Sequence, residues 1–196
     1  MAKLYFHYSS MNAGKSTALL QANHNYFERG MKALLFTAKL DNREGLGFIS
    51  SRIGIKKKAH AFSQDDNLFD FVQKKQGTGR LDCILVDEAQ FLNQAQVRQL
   101  TKIVDTAGIP VLTYGIRTDF KGDVCGGSEL LMAWADEIKQ IKTVCHCGKK
   151  AIMNARVSAA GDMETEGAQI EIGGNERYVS LCRSCFTRGE TGTRAV

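Results

Sequence analysis

A short apolar run, Leu4–Tyr8, is followed directly by a loop that contains Gly14, Lys15, Ser16 and Thr17. In a phosphate-binding loop, successive backbone N–H groups wrap the phosphates, a lysine ammonium reaches the terminal ones, and a hydroxyl binds the metal ion. Gly14, Lys15 and either Ser16 or Thr17 match these roles. The junction predicts a strand, a phosphate-binding loop and a helix in that order, which is typical of folds with a parallel sheet.

A second apolar run, Cys83–Val86, ends in two acidic residues, Asp87 and Glu88. Continuous apolar residues suit a parallel strand buried on both faces, and acids at its carboxyl end would lie beside the loop that carries Lys15. An acidic pair also fits the first turn of a helix. Downstream of a Gly-Lys-Ser loop the nucleotide-site interpretation is favoured, with Asp87 in the magnesium shell.

Strand and helix patterns alternate along the first three quarters of the chain, which predicts an α/β fold: a parallel sheet flanked by helices, with right-handed crossovers. Asn93 is predicted to cap a helix that ends before Gly108. We expect strands at 3–8, 32–37, 83–86, 111–114 and 137–144, and helices at 15–29, 67–75, 94–107 and 128–135.

Composition and charge exclude several classes of protein. The 196 residues are 43% hydrophobic and 24% charged, which is ordinary for a globular chain. The net charge of +5 comes with short, scattered basic clusters such as Lys56–Lys58, which are typical of solvated surface and argue against a nucleic-acid partner. No apolar stretch approaches the roughly 20 residues that span a bilayer, and no signal peptide pattern begins the chain. We therefore expect a cytoplasmic protein without a membrane partner.

Four of the six cysteines form two close pairs, Cys145 with Cys147 and Cys182 with Cys185, separated by 34 residues. In a cytoplasmic protein such spacing favours a tetrahedral zinc site over disulfides. His146 lies inside the first pair, so a ligand set that includes it remains open. A closed four-ligand site is structural, so this zinc is predicted to hold a loop in place rather than to take part in chemistry.

The segment between the two cysteine pairs is longer than the roughly 15 to 20 residues usual in a zinc ribbon. It contains an apolar run at 151–157, a polar stretch, and a second short run that leads into Gly173. Its length favours a lasso that closes over a substrate. We accordingly divide the chain into a nucleotide-binding domain, 1–143, and a zinc-anchored lasso domain, 144–196.

Taken together, the motifs resemble those of the thymidine kinases of the small zinc-containing type, which occur in bacteria and in animal cytosol. The resemblance covers nearly the whole chain and includes the serine at Ser9, where the generic loop pattern has glycine. Four ordered motifs carry it: Met11–Ser16, Asp87–Leu92, Tyr114–Phe120 and Ile172–Tyr178.

The resemblance implies a P-loop (RecA-like) fold and transfer of the ATP γ-phosphoryl group to the 5′-hydroxyl of thymidine, a pyrimidine salvage step that supplies DNA synthesis. By similarity Glu88 would be the general base, with Lys15 and Arg52 neutralising charge. ATP and magnesium would be bound by Ser9, Ser10, Met11, Asn12, Ala13, Gly14, Lys15, Ser16, Thr17, Asp87 and Gln90.

The resemblance also implies a thymine pocket. Phe91 and Phe120 would flank the base, although each taken alone is more typical of a core residue. Main-chain groups of the lasso would read the pyrimidine edge, with Tyr178 closing the pocket. The implied substrate-binding residues are Phe91, Phe120, Gln169, Ile170, Glu171, Ile172, Gly173 and Tyr178.

Membership of this family would imply a homotetramer and feedback inhibition by thymidine triphosphate. Two other classes of function remain open on the sequence. The acidic motif also resembles a helicase box, so a nucleic-acid motor or repair ATPase is conceivable, although the chain lacks a second motor domain. A zinc-stabilised nucleotide-binding regulator without catalysis is the other.

Overall fold

A computed structural model describes residues 1–41, 45–169, 171 and 177–192. Its helices are α1 (Lys15–Glu28), α2 (Leu68–Gln76), α3 (Gln94–Ala107), α4 (Gly126–Trp134) and α5 (Arg183–Arg188), with a 3-10 turn at Ala89–Phe91. Its strands are β1 (Leu4–Ser9), β2 (Ala33–Ala38), β3 (Phe48–Ser50), β4 (Lys56–Lys58), β5 (His60–Phe62), β6 (Cys83–Val86), β7 (Val111–Ile116), β8 (Glu137–Gln140), β9 (Thr143–Val144), β10 (Lys150–Ala151), β11 (Met153–Val157), β12 (Met163–Glu164) and β13 (Tyr178–Leu181).

Six strands form a central sheet in the order β5-β2-β6-β7-β1-β8, and every neighbouring pair is parallel. Helices cover both faces. Ile84 and Val86 of β6 belong to the core cluster that includes residues of α2, α3 and α4, whereas Cys83 and Leu85 pack in the cluster that includes α1. This alternation makes β6 apolar throughout. The predicted parallel sheet flanked by helices is confirmed.

Local capping signals set the ends of the helices. Asn93 and Gln96 form a capping box at the start of α3, and Gly108 ends that helix with a left-handed φ of 65°. The Asn67 side chain accepts the Asp70 N–H at the start of α2. The predicted bounds of α3 are confirmed, because both of its ends carry such signals.

The strand predicted at 137–144 was wrong as a single element. β8 pairs with β1 in the parallel sheet, whereas β9 pairs antiparallel with β10 in a separate hairpin. The break falls at Ile141, whose N–H donates to the Tyr8 carbonyl and whose carbonyl accepts the Ser9 hydroxyl. Ile141 is therefore the last residue bonded along β1 before the chain leaves the sheet. The predicted domain boundary lies within β9.

The C-terminal part of the chain forms a second, smaller unit. Strands β12, β11 and β13 make an antiparallel sheet in that order, and α5 follows β13. The buried members of its core are Cys145, Ala151, Ala155, Leu181, Cys182 and Cys185. Among the described residues, no helix is long and apolar enough to cross a membrane.

Candidate active site

A cavity of about 840 Å³ opens where the central parallel strands end at their carboxyl side. Parallel α/β sheets place ligand sites at this edge, because the loops that follow each strand meet there. The cavity brings together the phosphate-binding loop, the acidic pair, both predicted aromatic residues and part of the predicted lasso. The predicted site residues that line it are Met11, Asn12, Gly14, Lys15, Ser16, Thr17, Arg52, Asp87, Glu88, Gln90, Phe91, Phe120, Gln169, Glu171 and Tyr178.

The loop after β1 has the backbone geometry of a phosphate cradle. Gly14, with φ of 82°, directly precedes α1, and the Lys15 ammonium donates to the Ser10 carbonyl at 2.8 Å. Asn12 is also left-handed, with φ of 65°. The Ser10 hydroxyl is buried and has no hydrogen-bond partner within the described residues. A bound ligand could supply the missing hydrogen bond. The loop therefore fits a phosphate chain at the N-terminus of α1.

One contact joins the two motifs that were found separately in the sequence. The Ser16 hydroxyl donates to Asp87 Oδ2 at 2.9 Å, and the Asp87 N–H donates to the Phe36 carbonyl of β2. Burial raises the pKa of Asp87, and the neighbouring Glu88 carboxylate raises it further. The hydrogen bond from the Ser16 hydroxyl lowers this pKa, but the net shift is upward. A hydroxyl beside a carboxylate is an oxygen donor set that suits magnesium.

Glu88 is held in an uncommon backbone conformation. In the described part of the chain, Asn12 and Glu88 are the non-glycine residues with positive φ, and that of Glu88 is 52°. The Gln90 amide donates to Glu88 Oε2 at 2.5 Å and accepts the Ile116 N–H at 3.2 Å. Gln90 thus orients the carboxylate of Glu88. Strained residues that their surroundings hold in place cluster at active sites.

Two glycines make room for the turn that carries Glu88 and Gln90. A Cβ added to Gly127 of α4 would lie 2.6 Å from the Leu92 carbonyl oxygen, and one added to Gly115 would lie 2.9 Å from Gln90 Oε1. These approaches are closer than any side chain allows. The α4 backbone therefore packs directly on the turn at Ala89–Phe91.

Arg52 lies between β3 and β4, a hairpin that the sequence did not predict. Its Nη2 donates to Asn12 Oδ1, which brings the guanidinium to the phosphate-binding loop although the residue is exposed. The hairpin pairs Phe48 with Lys58, and both strands have only three residues. Such short strands leave no clear alternation in the sequence.

Phe120 and Tyr178 also line the cavity and share one partner, Arg156. The Arg156 guanidinium carbon lies 3.7 Å from the centre of the Phe120 ring, and its Nε and Nη2 donate to the Tyr178 hydroxyl at 3.2 and 3.0 Å. Tyr178 in turn donates to the Glu171 carbonyl at 2.8 Å. Arg156 is only 1% exposed. Sequence reasoning missed it, since a lone arginine in an apolar strand carries no motif.

The predicted lasso contacts the loop that bears Phe120. Gln169 donates to Asp119 Oδ2 at 2.9 Å, and the other Asp119 oxygen accepts the N–H groups of Lys121 and Asp123. Asp119 is buried and was missed as a site residue, although it lies within a motif quoted above. Of the predicted lasso residues, Ile170, Ile172 and Gly173 lie outside the described residues.

The four predicted metal ligands meet in the second unit. The thiols of Cys145, Cys147, Cys182 and Cys185 lie within 4.8 Å of one another. Tetrahedral zinc with Zn–S distances of about 2.3 Å places its sulfurs about 3.8 Å apart. The Cys147 and Cys182 sulfurs are 3.7 Å apart, so the cluster fits the ion.

Neighbouring groups favour thiolate at one of these residues. Hydrogen bonds to the Cys182 sulfur, first from the Cys185 N–H and then from the neighbouring cysteine thiols, lower the pKa of the Cys182 thiol to about 6. His146 is exposed, and its Nε2 lies 3.0 Å from the Glu190 carbonyl oxygen. Of the side chains that the structure describes, those close enough to hold one metal ion together are the four cysteines, and His146 is not among them.

Comparisons with known proteins agree over almost the whole chain. The family model "Thymidine kinase" matches residues 2–186. A thymidine kinase of Legionella pneumophila is 55% identical over 193 residues, 98% of this chain and 92% of the relative. One from Xanthomonas axonopodis is 55% identical over 189 residues, 96% and 90% of the two chains, and one from Shewanella oneidensis is 54% identical over 186 residues, 95% and 97%. The chain therefore belongs to the thymidine kinase family and is an enzyme of the kinase class.

Proposed function

We propose that the protein transfers the γ-phosphoryl group of ATP to the 5′-hydroxyl of thymidine, giving thymidine monophosphate and ADP. The observation that carries this proposal is the Ser16–Asp87 hydrogen bond, which joins the phosphate-binding loop to the acidic pair at the floor of one cavity. Names of relatives at about 55% identity supply the acceptor. The reaction would serve pyrimidine salvage for DNA synthesis.

The nucleotide side of the proposal rests on the loop after β1. Its backbone from Ser9 to Thr17 would hold the phosphates, with Lys15 beside the β and γ groups. Ser16 and Asp87 would hold magnesium, which when bound neutralises charge on the transferred group. Lys15 is 9% exposed, so its ammonium acts in surroundings where charge interactions are strong. Gln90 supports this arrangement through its bond to Glu88.

Glu88 is proposed as the general base. Its carboxylate accepts the proton of the 5′-hydroxyl as the new O–P bond forms and the bond between the γ-phosphorus and ADP breaks. Because the transition state of phosphoryl transfer is loose, orientation of the hydroxyl contributes more than early deprotonation. Arg52, held at the loop by Asn12, would supply a second cation to the leaving phosphates.

Thymine is proposed to lie between Phe91 and Phe120. The stack of Arg156 on Phe120 fixes one wall of this pocket, and the Tyr178 hydroxyl fixes the Glu171 main chain at its rim. Gln169 and the lasso main chain, including Ile170, Ile172 and Gly173, would read the pyrimidine edge. Main-chain donors and acceptors at fixed positions would accept a pyrimidine and reject the larger purines.

The second unit is proposed as a zinc-anchored lasso domain, 144–196, appended to the nucleotide-binding domain, 1–143. Zinc bound by the four cysteines would hold the ends of the lasso and do no chemistry. We further propose a cytoplasmic homotetramer that is inhibited by thymidine triphosphate.

The test is an ADP-release assay with ATP and magnesium, in which thymidine, deoxyadenosine or single-stranded DNA is added in parallel. We expect release with thymidine alone, and a fall in kcat of about 10²- to 10⁴-fold for Glu88→Gln. Glu129→Gln, an exposed acid on α4, is the matched control and should retain full activity. Release driven by DNA, or release without an acceptor, would overturn the proposal.

A further inference from the structure

Two side chains of the second unit hold both backbone polar groups of one residue in the phosphate-binding loop. The Met11 N–H donates to Asn154 Oδ1 at 2.6 Å, and the Met11 carbonyl accepts the Ser180 hydroxyl. Asn154 of β11 and Ser180 of β13 are direct partners across the antiparallel sheet, so their side chains lie side by side on one face. The partners of the Met11 N–H and carbonyl therefore lie 143 and 169 residues further along the sequence.

Asn154 also bonds a third segment. It is 2% exposed, and its amide nitrogen donates to the Thr118 carbonyl at 2.8 Å, in the loop that bears Phe120. The orientation of this amide follows from its partners, because the Met11 N–H requires an acceptor and the Thr118 carbonyl requires a donor. One buried amide thus links the phosphate-binding loop to the loop that carries the aromatic wall.

The residue after Met11 shows why this link matters for binding. Asn12 has a left-handed backbone, with φ of 65°, a conformation that asparagine tolerates but that is only one of those open to it. The directions of the loop N–H groups, which bind phosphate, depend on that conformation. Asn12 itself is exposed, so the fixing contacts come from Met11 on one side and Arg52 on the other.

We propose that Asn154 and Ser180 are positioning residues for the nucleotide: from the second unit, they fix the phosphate-binding loop in its binding conformation. Affinity for ATP then depends on the zinc-anchored sheet as well as on the loop itself. This inference rests on the proposed function and extends it to residues that lie far from the loop in sequence.

The test compares binding of the ATP analogue AMP-PNP, by calorimetry with magnesium, with steady-state KM values for both substrates. For Ser180→Ala we expect the Kd of AMP-PNP and the KM for ATP to rise about five- to tenfold, the effect of one lost hydrogen bond. The KM for thymidine should stay within about twofold. For Asn154→Ala both KM values should rise, since the Thr118 contact is lost as well.

Ser158→Ala is the matched control, because it removes a hydroxyl that accepts the Asp162 N–H in the same unit without contact to the loop. A merely structural role predicts a lower unfolding temperature and equal changes in both KM values for Ser180→Ala, and that result would overturn the inference. Unchanged AMP-PNP affinity in both variants, with binding by the native chain intact, would also overturn it and leave the proposed function standing. Failure of the native chain to bind AMP-PNP would overturn both.

Discussion

The central sheet and the second unit reach a fixed geometry by different means. Six parallel strands with helices on both faces bury two large apolar clusters, so the phosphate-binding loop and the acidic pair lie on a scaffold fixed by its own core. In the second unit, three of the six buried core residues within the described part of the chain are cysteines. A core that small does not usually order a domain without a metal or disulfides. The proposed phosphate site thus lies mainly on a packed core. The proposed base pocket depends more on the second unit, which supplies Arg156 and Tyr178 and whose small core is proposed to be completed by zinc.

The variant Cys185→Ser tests this difference with the largest expected effect. Loss of one ligand should empty the zinc site and destabilise the second unit by several kcal/mol, because metal binding there is also folding free energy. We expect the KM for thymidine to rise at least about tenfold, with a separate early transition in calorimetry. The KM for ATP should rise as well, because Asn154 and Ser180 of this unit bond the phosphate-binding loop.

The same exchange in the other region, Cys83→Ser, is its control. Cys83 is buried in β6 and its thiol contacts the Ile84 carbonyl, so this variant should lose stability in the main transition and keep its zinc. Equal zinc loss in both variants would show that the two units do not differ as described.

The second test concerns the wall of the pocket. Arg156→Met removes the guanidinium from Phe120 and from the Tyr178 hydroxyl, so we expect the KM for thymidine to rise about tenfold with little change in the KM for ATP. Arg156→Lys retains the charge and loses the planar guanidinium, so its KM for thymidine should lie between those of the native chain and of Arg156→Met. A native KM for thymidine in Arg156→Met would remove this residue from the base pocket.

Gly127→Ala tests the packing of the first region. The added methyl would lie 2.6 Å from the Leu92 carbonyl and 2.7 Å from that of Ala89, so we expect a loss of about 1–3 kcal/mol in the free energy of unfolding. Gly126→Ala is the control, because a Cβ there meets nothing within 4 Å. Denaturant titration of both variants decides whether α4 packs on the turn as described.

The smallest expected effect is that of Asn93→Ala. It removes the capping box of α3 and should cost about 1 kcal/mol without altering either KM, since the cap lies in the stable scaffold. Asn25→Ala, on the exposed surface of α1, should change stability by less than about 0.5 kcal/mol. A change in the KM for either substrate would mean that the scaffold is less rigid than its core suggests.

Local patterns in the sequence were enough to predict the parallel sheet, the cap at Asn93 and the grouping of the four cysteines. Each of these signals lies within a few neighbouring residues, where spacing and side-chain chemistry are enough to identify it. The predicted strand at 137–144 failed for a related reason: its pattern is continuous, whereas the choice between β1 and β10 as partner depends on contacts far away in the chain.

Asn154, Arg156 and Ser180 could not have been found in this way. Their roles come from contacts with Met11 and Phe120 that form only when β11 and β13 pack against the loops of the central sheet. Buried polar residues in an apolar strand were the available signal, because such groups require partners. That signal indicates that a partner exists and does not say which one.

The short outer strands of the central sheet affect the tendency of the chain to aggregate while it folds in a crowded cell. β5 has three residues and β8 has four, and β8 carries Glu137 paired with Lys3 and Lys139. Edges this short and this charged offer few free backbone groups to a strand from another molecule. The sheet is thereby protected against edge-to-edge aggregation, while its apolar strands β1, β2, β6 and β7 remain inside.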